Sequence, residues 1–273
     1  MIAVGVGVFG SLIGSFLNVV IFRVPAGRSI VSPPSACGSC GARVRPLDNL
    51  PVVSWLVLRG KCRDCRAPIS ARYPLVELGT ALFFAAVAWF VLATVATGAG
   101  GTAQIVATIL ALVAFLYFAA ISVALALIDL DTQRLPNSIV LPAYPVAAVL
   151  LTAAALTAGA PERLLTMAVG GLSLFVAYFA MASLYRGGMG FGDVKLAGVI
   201  GLFLGWLGWG PLAVGAFAAF LLGGLFSLVL VMTRGATGRT AIPFGPWMIV
   251  GAWVGIFAGE QIATAYLALF GLV

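Results

Sequence analysis

Hydrophobic residues follow one another along this chain in long, nearly continuous segments. A membrane-spanning helix needs about 20 apolar residues, and a bilayer admits only helices or closed barrels. Continuous apolar segments favour helices, since barrel strands would alternate apolar and polar positions. The pattern predicts an all-α polytopic membrane protein with eight spans, near residues 2–22, 74–97, 103–128, 137–158, 164–185, 194–209, 211–232 and 246–271.

Two of these spans can be interpreted in a second way. The sixth is short, and the GWLGWG stretch at 205–210 can form its turn, so seven spans remain an open interpretation. The first lacks the basic start and small-residue cleavage site of a secretory signal, so we expect it to stay as an anchor.

A polar insert rich in Pro and Arg interrupts the apolar pattern after the first span. It shows no long helical periodicity, and we expect a small, loop-rich unit there. The predicted organisation is a first transmembrane helix at 1–22, an insert at 23–73 and a polytopic helical body at 74–273.

Composition agrees with a membrane protein, and the positions of the charged residues predict its orientation in the membrane. Hydrophobic residues make up 62% of the chain and charged residues 8%, whereas a soluble domain carries about a quarter charged residues. Nine of the fifteen Lys and Arg lie between Arg23 and Arg72. Basic loops beside spans mark the cytoplasmic side, so we predict a cytoplasmic insert and an external N-terminus, without nucleic-acid binding. Most of the remaining basic residues fall at the same predicted side, namely Arg134, Arg186, Lys195, Arg234 and Arg239, while Arg163 is the exception.

All four cysteines lie in the insert, as CGSC at 37–40 and CRDC at 62–65, separated by 21 residues. Two such pairs can present four thiolates to one tetrahedral zinc ion. The predicted metal ligands are therefore Cys37, Cys40, Cys62 and Cys65. We expect Gly38 and Gly41 to form the turns, and Arg63 and Arg66 to favour the thiolates. Two disulfides or four free thiols are the alternatives, although a cytoplasmic location disfavours disulfides. With four protein ligands the zinc would be structural.

Three carboxylates stand where spans meet the predicted cytoplasmic side. Asp129 and Asp131 occur in ALIDLDTQRLPN at the end of the third span, and Asp193 occurs in GFGD at the start of the sixth. An ionisable group at membrane depth is a functional candidate. Two close carboxyl groups can share one proton and divide acid and base roles on a water molecule. The chain has no histidine, which excludes Ser-His-Asp, Cys-His and HExxH chemistry.

The glycines before Asp193 fit this chemistry, because Gly190 and Gly192 would let an extended substrate backbone approach its carboxylate. Other interpretations remain open from the residues alone. Asp193 can cap a helix, Gly-rich stretches can serve helix packing, and the aspartates can form a proton or ion relay in a transporter. The zinc-stabilised insert can also be the functional part of the chain, as a docking module.

The ordered series of motifs resembles the bacterial prepilin leader peptidases/N-methyltransferases, which are membrane aspartic proteases of the GxGD type. The resemblance covers nearly the whole chain, through GSFLNVVIFRVP at 14–25, the paired CxxC motifs, ISARYPLVELGTALF, IDLDTQRLPN and GMGFGDVKL. It implies catalytic roles for Asp129 and Asp193. Asp129 is favoured over Asp131 by its spacing to Leu135-Pro136, after which many members have Asp where this chain has Asn137.

The resemblance also implies substrates, a cofactor and a location. The expected substrates are type IV prepilins or type II secretion pseudopilins, cleaved after a short basic leader at the cytoplasmic face of the inner membrane. Pilus or secretion assembly machinery is a further expected partner. A second activity would methylate the new N-terminus with S-adenosylmethionine. No methyl-donor motif is recognisable, and Gly60 and Lys61 in LRGKC are the positions we would test.

Overall fold

The computed structural model describes residues 1–95, 101–184, 189–234 and 243–272. Within these ranges the extended elements of secondary structure are all helices, with no β-strand, and the insert is mostly turns and loops. This confirms the predicted all-α class. The helices are α1 (Ile2–Arg23), α2 (Val53–Val57), α3 (Arg72–Thr94), α4 (Thr102–Thr132), α5 (Asn137–Thr157), α6 (Glu162–Leu184), α7 (Phe191–Leu207), α8 (Trp209–Arg234) and α9 (Gly245–Ala268), with a short 3-10 helix at Pro46–Asn49. Arg186 and Arg239, predicted at the cytoplasmic side, lie outside the described residues.

Seven of the described helices are long and apolar enough to cross a membrane, and α7, with 17 residues, is the predicted span that falls short. It nevertheless runs antiparallel to α6 along most of its length. At one end the rings of Phe191 and Phe179 lie 6.3 Å apart, and at the other the Arg163 guanidinium lies 4.7 Å from the Trp206 ring. The helix is about 25 Å long. A single glycine, Gly208 at φ 132°, separates it from α8.

Two helix boundaries differ from the prediction, and both differences involve aspartates. The third span was expected to end at residue 128, but α4 continues to Thr132, where Gln133 adopts a left-handed φ of 52°. Helix α7 begins at Phe191, three residues earlier than expected. The apolar pattern stops at the first charged residue, whereas backbone hydrogen bonding continues through it. Both Asp129 and Asp193 are therefore helical residues.

The chain forms two compact units, the first comprising residues 1–97 and 115–124. In this unit α1 packs against α3 through three glycines spaced by three and four residues. A methyl group on Gly10 would lie 2.7 Å from the Phe84 Cβ, and one on Gly14 would lie 2.7 Å from the Glu77 Cα. Such close approach of backbones is typical of helix pairs in membranes. The insert joins these two helices, while the division of the chain at residues 22 and 73 stays a prediction.

The second unit comprises residues 98–114 and 125–273. Its most buried helix is α7, whose residues from Val194 to Trp206 are mostly inaccessible. The close approach of α6 and α7 again depends on glycine, since a methyl group on Gly170 of α6 would lie 2.5 Å from the carbonyl oxygen of Gly201 in α7. The buried α7 carries Asp193 in its first turn, so the packing of α7 sets where this carboxylate lies.

Candidate functional site

Asp129 lies in the last turn of α4 and is 5% exposed. One carboxylate oxygen, Oδ2, accepts a hydrogen bond of 3.1 Å from the backbone N–H of Gly245, the first residue of α9. The N-terminus of a helix favours a negative charge. By contrast, Asp131 is exposed. Of the two aspartates in IDLD, the structure therefore buries the one that the motif spacing favoured.

Asp193 lies in the first turn of α7 and accepts a hydrogen bond of 3.1 Å from the backbone N–H of Gly190. The carboxylate thus caps its own helix, as one of the open interpretations expected. Capping is not the only interaction of this carboxylate, because Asp193 also interacts electrostatically with Asp129. The two carboxylates belong to one site.

Leu135 packs beside neighbours of both aspartates, a role that was not predicted. A methyl group on Gly192 would lie 2.9 Å from the Leu135 Cβ, and one on Gly245 would lie 3.4 Å from its Cδ2. The side chain therefore touches the residue before Asp193 and the residue that hydrogen-bonds Asp129. Packing against Leu135 therefore favours glycine at position 192, in addition to the predicted approach of substrate. Gly190, the other predicted glycine, is exposed.

An aromatic cluster adjoins this site. Tyr178, 3% exposed, has its ring 5.4 Å from Phe220 and 6.3 Å from Phe244, which precedes Gly245. Tyr178 also interacts electrostatically with Asp193. These residues were not predicted, because aromatic side chains in apolar helices carry no distinguishing local signal.

The start of α7 is held by α5. The Lys195 ammonium donates a hydrogen bond of 2.9 Å to the Asn137 side-chain oxygen and lies 4.9 Å from the Phe191 ring. Tyr144, also in α5, donates a 2.7 Å hydrogen bond from its hydroxyl to the Lys195 carbonyl. Asn137 follows Leu135-Pro136 directly. The segment after Asp129 therefore fixes the helix that carries Asp193.

The four cysteines of the insert converge, as their spacing predicted. The sulfur atoms of Cys37, Cys40, Cys62 and Cys65 all lie within 4.8 Å of one another, and those of Cys37 and Cys65 are 3.8 Å apart. All four are free thiols, so the disulfide alternative is not what the structure adopts. This cluster can hold a metal ion.

The two CxxC turns are built alike. In the first, the Cys37 N–H donates to the Ala42 carbonyl at 2.8 Å and the Gly41 N–H donates to Cys37 at 2.9 Å. In the second, Cys62 donates to Ala67 at 2.8 Å and Arg66 donates to Cys62 at 3.1 Å. The fifth position of each turn is left-handed, at φ 73° in Gly41 and 61° in Arg66.

The pKa values of two thiols in the cysteine cluster are shifted in opposite directions. Backbone N–H groups of Cys40 and Ser39 lower the pKa of Cys37 to about 6. For Cys65, the N–H of Ala67 lowers the pKa, but the neighbouring thiols and burial outweigh it and raise the pKa to about 12. A bound cation would favour ionisation of all four sulfurs.

Two ion pairs link the segment around the 3-10 helix to the second CxxC turn. Arg63 donates to both carboxylate oxygens of Asp48, and Arg45 pairs with Asp64 at 2.9 Å. The Arg63 guanidinium lowers the pKa of Asp48. Arg63 was expected to favour the thiolates, but its hydrogen-bonding groups are directed to Asp48. Sequence alone did not reveal this, because the partners are 15 residues apart.

Gly60, one of the two positions suggested for the methyl donor, has a structural role. It adopts a left-handed φ of 66°, and a methyl group there would lie 2.8 Å from the Trp55 indole ring. The Trp55 indole N–H in turn donates to the Ile69 carbonyl at 3.1 Å. Lys61 is exposed beside Cys62. Their part in methyl transfer stays a prediction.

The chain is similar to known proteins along nearly its whole length. Residues 8–91 match the bacterial peptidase A24 N-terminal domain, and residues 116–228 match the type IV leader peptidase family. A prepilin leader peptidase/N-methyltransferase from Pseudomonas aeruginosa is 36% identical over 96% of this chain and 92% of its own length. This chain belongs to the type IV leader peptidase family.

Other relatives agree with this membership. Proteins of the same name from Aeromonas hydrophila and Neisseria gonorrhoeae are each 34% identical, covering 96% and 94% of this chain and 92% and 91% of their own lengths. No solved structure matches the chain. The leader peptidase segment at 116–228 contains both Asp129 and Asp193, whereas the N-terminal domain at 8–91 contains the cysteine cluster.

Proposed function

We propose that this protein is a membrane aspartic endopeptidase whose catalytic pair is Asp129 and Asp193. The proposal rests on a buried carboxylate at the end of α4 and a second carboxylate at the start of α7. Leu135 packs both on Gly192, beside Asp193, and on Gly245, which hydrogen-bonds Asp129, and the two carboxylates interact electrostatically. Two carboxyl groups in one site favour a shared proton, which gives one acid and one base.

The reaction follows from this pairing. The ionised aspartate removes a proton from water, whose oxygen attacks the carbonyl carbon of the scissile peptide bond. The protonated aspartate then transfers its proton to the departing amine nitrogen. The Gly245 N–H, 3.1 Å from Asp129, orients that carboxylate, and the α9 N-terminus favours its ionised form. The Gly190 N–H orients Asp193 in the same way, also at 3.1 Å and in the first turn of α7, so either aspartate can serve as the base while the other serves as the acid.

The substrates we propose are type IV prepilins or type II secretion pseudopilins. Family membership and the names of the relatives support this class. The apolar segment of the prepilin would lie in the membrane with its basic leader in the cytoplasm. The basic residues at the ends of α1 and α4 favour the orientation in which the insert and both aspartates face the cytoplasm.

The cysteine cluster is proposed to hold a structural zinc ion. Tetrahedral coordination at about 2.3 Å places sulfurs about 3.8 Å apart, and the Cys37–Cys65 separation is 3.8 Å. The ion would join the two CxxC turns, and its four sulfur ligands would leave no position for substrate. A small insert with few buried side chains depends on such a crosslink.

The second proposed activity is methylation of the new N-terminal amine with S-adenosylmethionine. The names of the relatives support it. Within this chain Gly60 and Lys61 remain the positions proposed for the methyl donor, although the left-handed φ and the Trp55 contact already require glycine at position 60.

The proposal is tested with the full chain in membranes and a prepilin substrate. Mass spectrometry should detect loss of the leader, and with S-adenosylmethionine the mature product should gain the mass of one methyl group. Cleavage without methylation would retain the peptidase and overturn the second activity. A prepilin left intact by a folded protein, together with proton or ion flux across vesicles, would instead favour the relay interpretation.

A further inference from the structure

The insert exposes an apolar face that the proposed peptidase reaction does not use. On α2, Val53, Leu56 and Val57 are 56%, 61% and 71% exposed. Positions i, i+3 and i+4 of a helix share one face, so these side chains form a continuous surface, which we call the α2 face. Trp55, between them in sequence, turns inward and hydrogen-bonds Ile69.

The start of α2 lies beside the first turns of α3, one of the helices long and apolar enough to cross a membrane. The backbone N–H of Val52, just before α2, donates a 2.7 Å hydrogen bond to the Glu77 carboxylate in α3. Glu77 is five residues into that span, a rise of about 7.5 Å from its start. At this level α3 already exposes Leu75 and Leu78, at 65% and 45%. Since α3 crosses the bilayer, α2 starts beside its lipid-facing end.

Charge around the α2 face favours an anionic partner. Residues 23–73 contain nine Lys and Arg but only two acidic residues, and Glu77 of α3, beside Val52, adds one further carboxylate. Both acids are already paired, Asp48 with Arg63 and Asp64 with Arg45. Arg59 and Lys61, which follow α2 directly, are exposed. A basic prepilin leader would be repelled here, whereas anionic headgroups would be attracted.

We propose that the α2 face inserts into the headgroup and upper acyl region of the same membrane, with Arg59 and Lys61 on anionic phospholipid. Apolar side chains enter the boundary while neighbouring basic side chains reach the headgroups. The insert is then held against the bilayer at a third place, in addition to its connections to α1 and α3.

Photo-crosslinking of the full chain in lipid vesicles tests this inference. A photoreactive amino acid replaces Leu56, and in a matched control it replaces Val31, which is 85% exposed in the insert but outside the α2 face. Vesicles contain phosphatidylcholine alone or with phosphatidylglycerol. Equal protection of the four cysteines from alkylation verifies that the insert is folded in both chains.

We expect lipid adducts at position 56 to exceed those at position 31 several-fold and to increase with phosphatidylglycerol. Combining Arg59→Gln with Lys61→Gln should remove that increase. Equal adducts at the two positions, or adducts at 56 that are only with protein, would overturn the inference. Adducts independent of phosphatidylglycerol would overturn the anionic part.

Discussion

The backbone N–H of Gly245 hydrogen-bonds the Asp129 carboxylate at 3.1 Å across 116 residues of sequence. This contact brings the start of α9 to the end of α4, where Leu135 also packs. The candidate site therefore depends on three chain segments, although its two carboxylates lie on only two of them.

Gly245→Ala should disrupt the site without removing a functional group. The added methyl would lie 2.7 Å from the Asp129 Oδ2, and forcing such an overpacked contact costs about 1–3 kcal/mol. We expect prepilin cleavage to fall about tenfold or more, measured as initial rate at matched protein level. Gly224→Ala is the control, because a methyl group there meets open space. Equal rates in the two variants would contradict the contact.

Gly192→Ala distinguishes packing from substrate approach. The new methyl would meet the Leu135 Cβ at 2.9 Å, so cleavage should fall, and adding Leu135→Ala should restore part of it by making room. If the glycine serves only the approach of substrate, the double variant should be no better than Gly192→Ala alone. Cleavage rates of the two single variants and the double variant decide this.

Asn137→Asp should leave cleavage intact and increase thermal stability. The new carboxylate would pair with the Lys195 ammonium, now 2.9 Å from the Asn137 oxygen, and would lie in the first turn of α5. Each effect contributes about 0.3–1 kcal/mol. Thermal inactivation in detergent measures the change, and Asn137→Lys should lower stability by like-charge repulsion. The opposite order of the two variants would contradict this contact.

Removal of metal should loosen the insert. We expect one zinc per purified chain by elemental analysis, and loss of it in Cys37→Ser together with faster proteolysis between residues 23 and 73. Acidification should release the ion, since protons compete with it for the thiolates. Ser39→Ala, between the first pair of cysteines, is the control. A full zinc content in Cys37→Ser would contradict coordination by the cluster.

The sequence was sufficient for the helical class and for the convergence of the cysteines, because apolar segment length and CxxC spacing are local signals. It was insufficient for the surroundings of the aspartates. Leu135, Tyr178 and Gly245 reach the site only through packing between helices far apart in sequence. The predicted end of the third span, residue 128, was also too early, because hydropathy falls at Asp129 while the helix continues to Thr132.

Asp129 and Asp193 are proposed to act as one acid–base pair. The most direct measurement is the prepilin cleavage rate of Asp129→Asn, Asp193→Asn and their double variant, with exposed Asp131→Asn as the control. Each single variant should lose about a hundredfold or more, the double variant should lose little further, and Asp131→Asn should cleave like the parent. Substantial cleavage by either single variant of the pair would show that the replaced aspartate is not needed for the reaction.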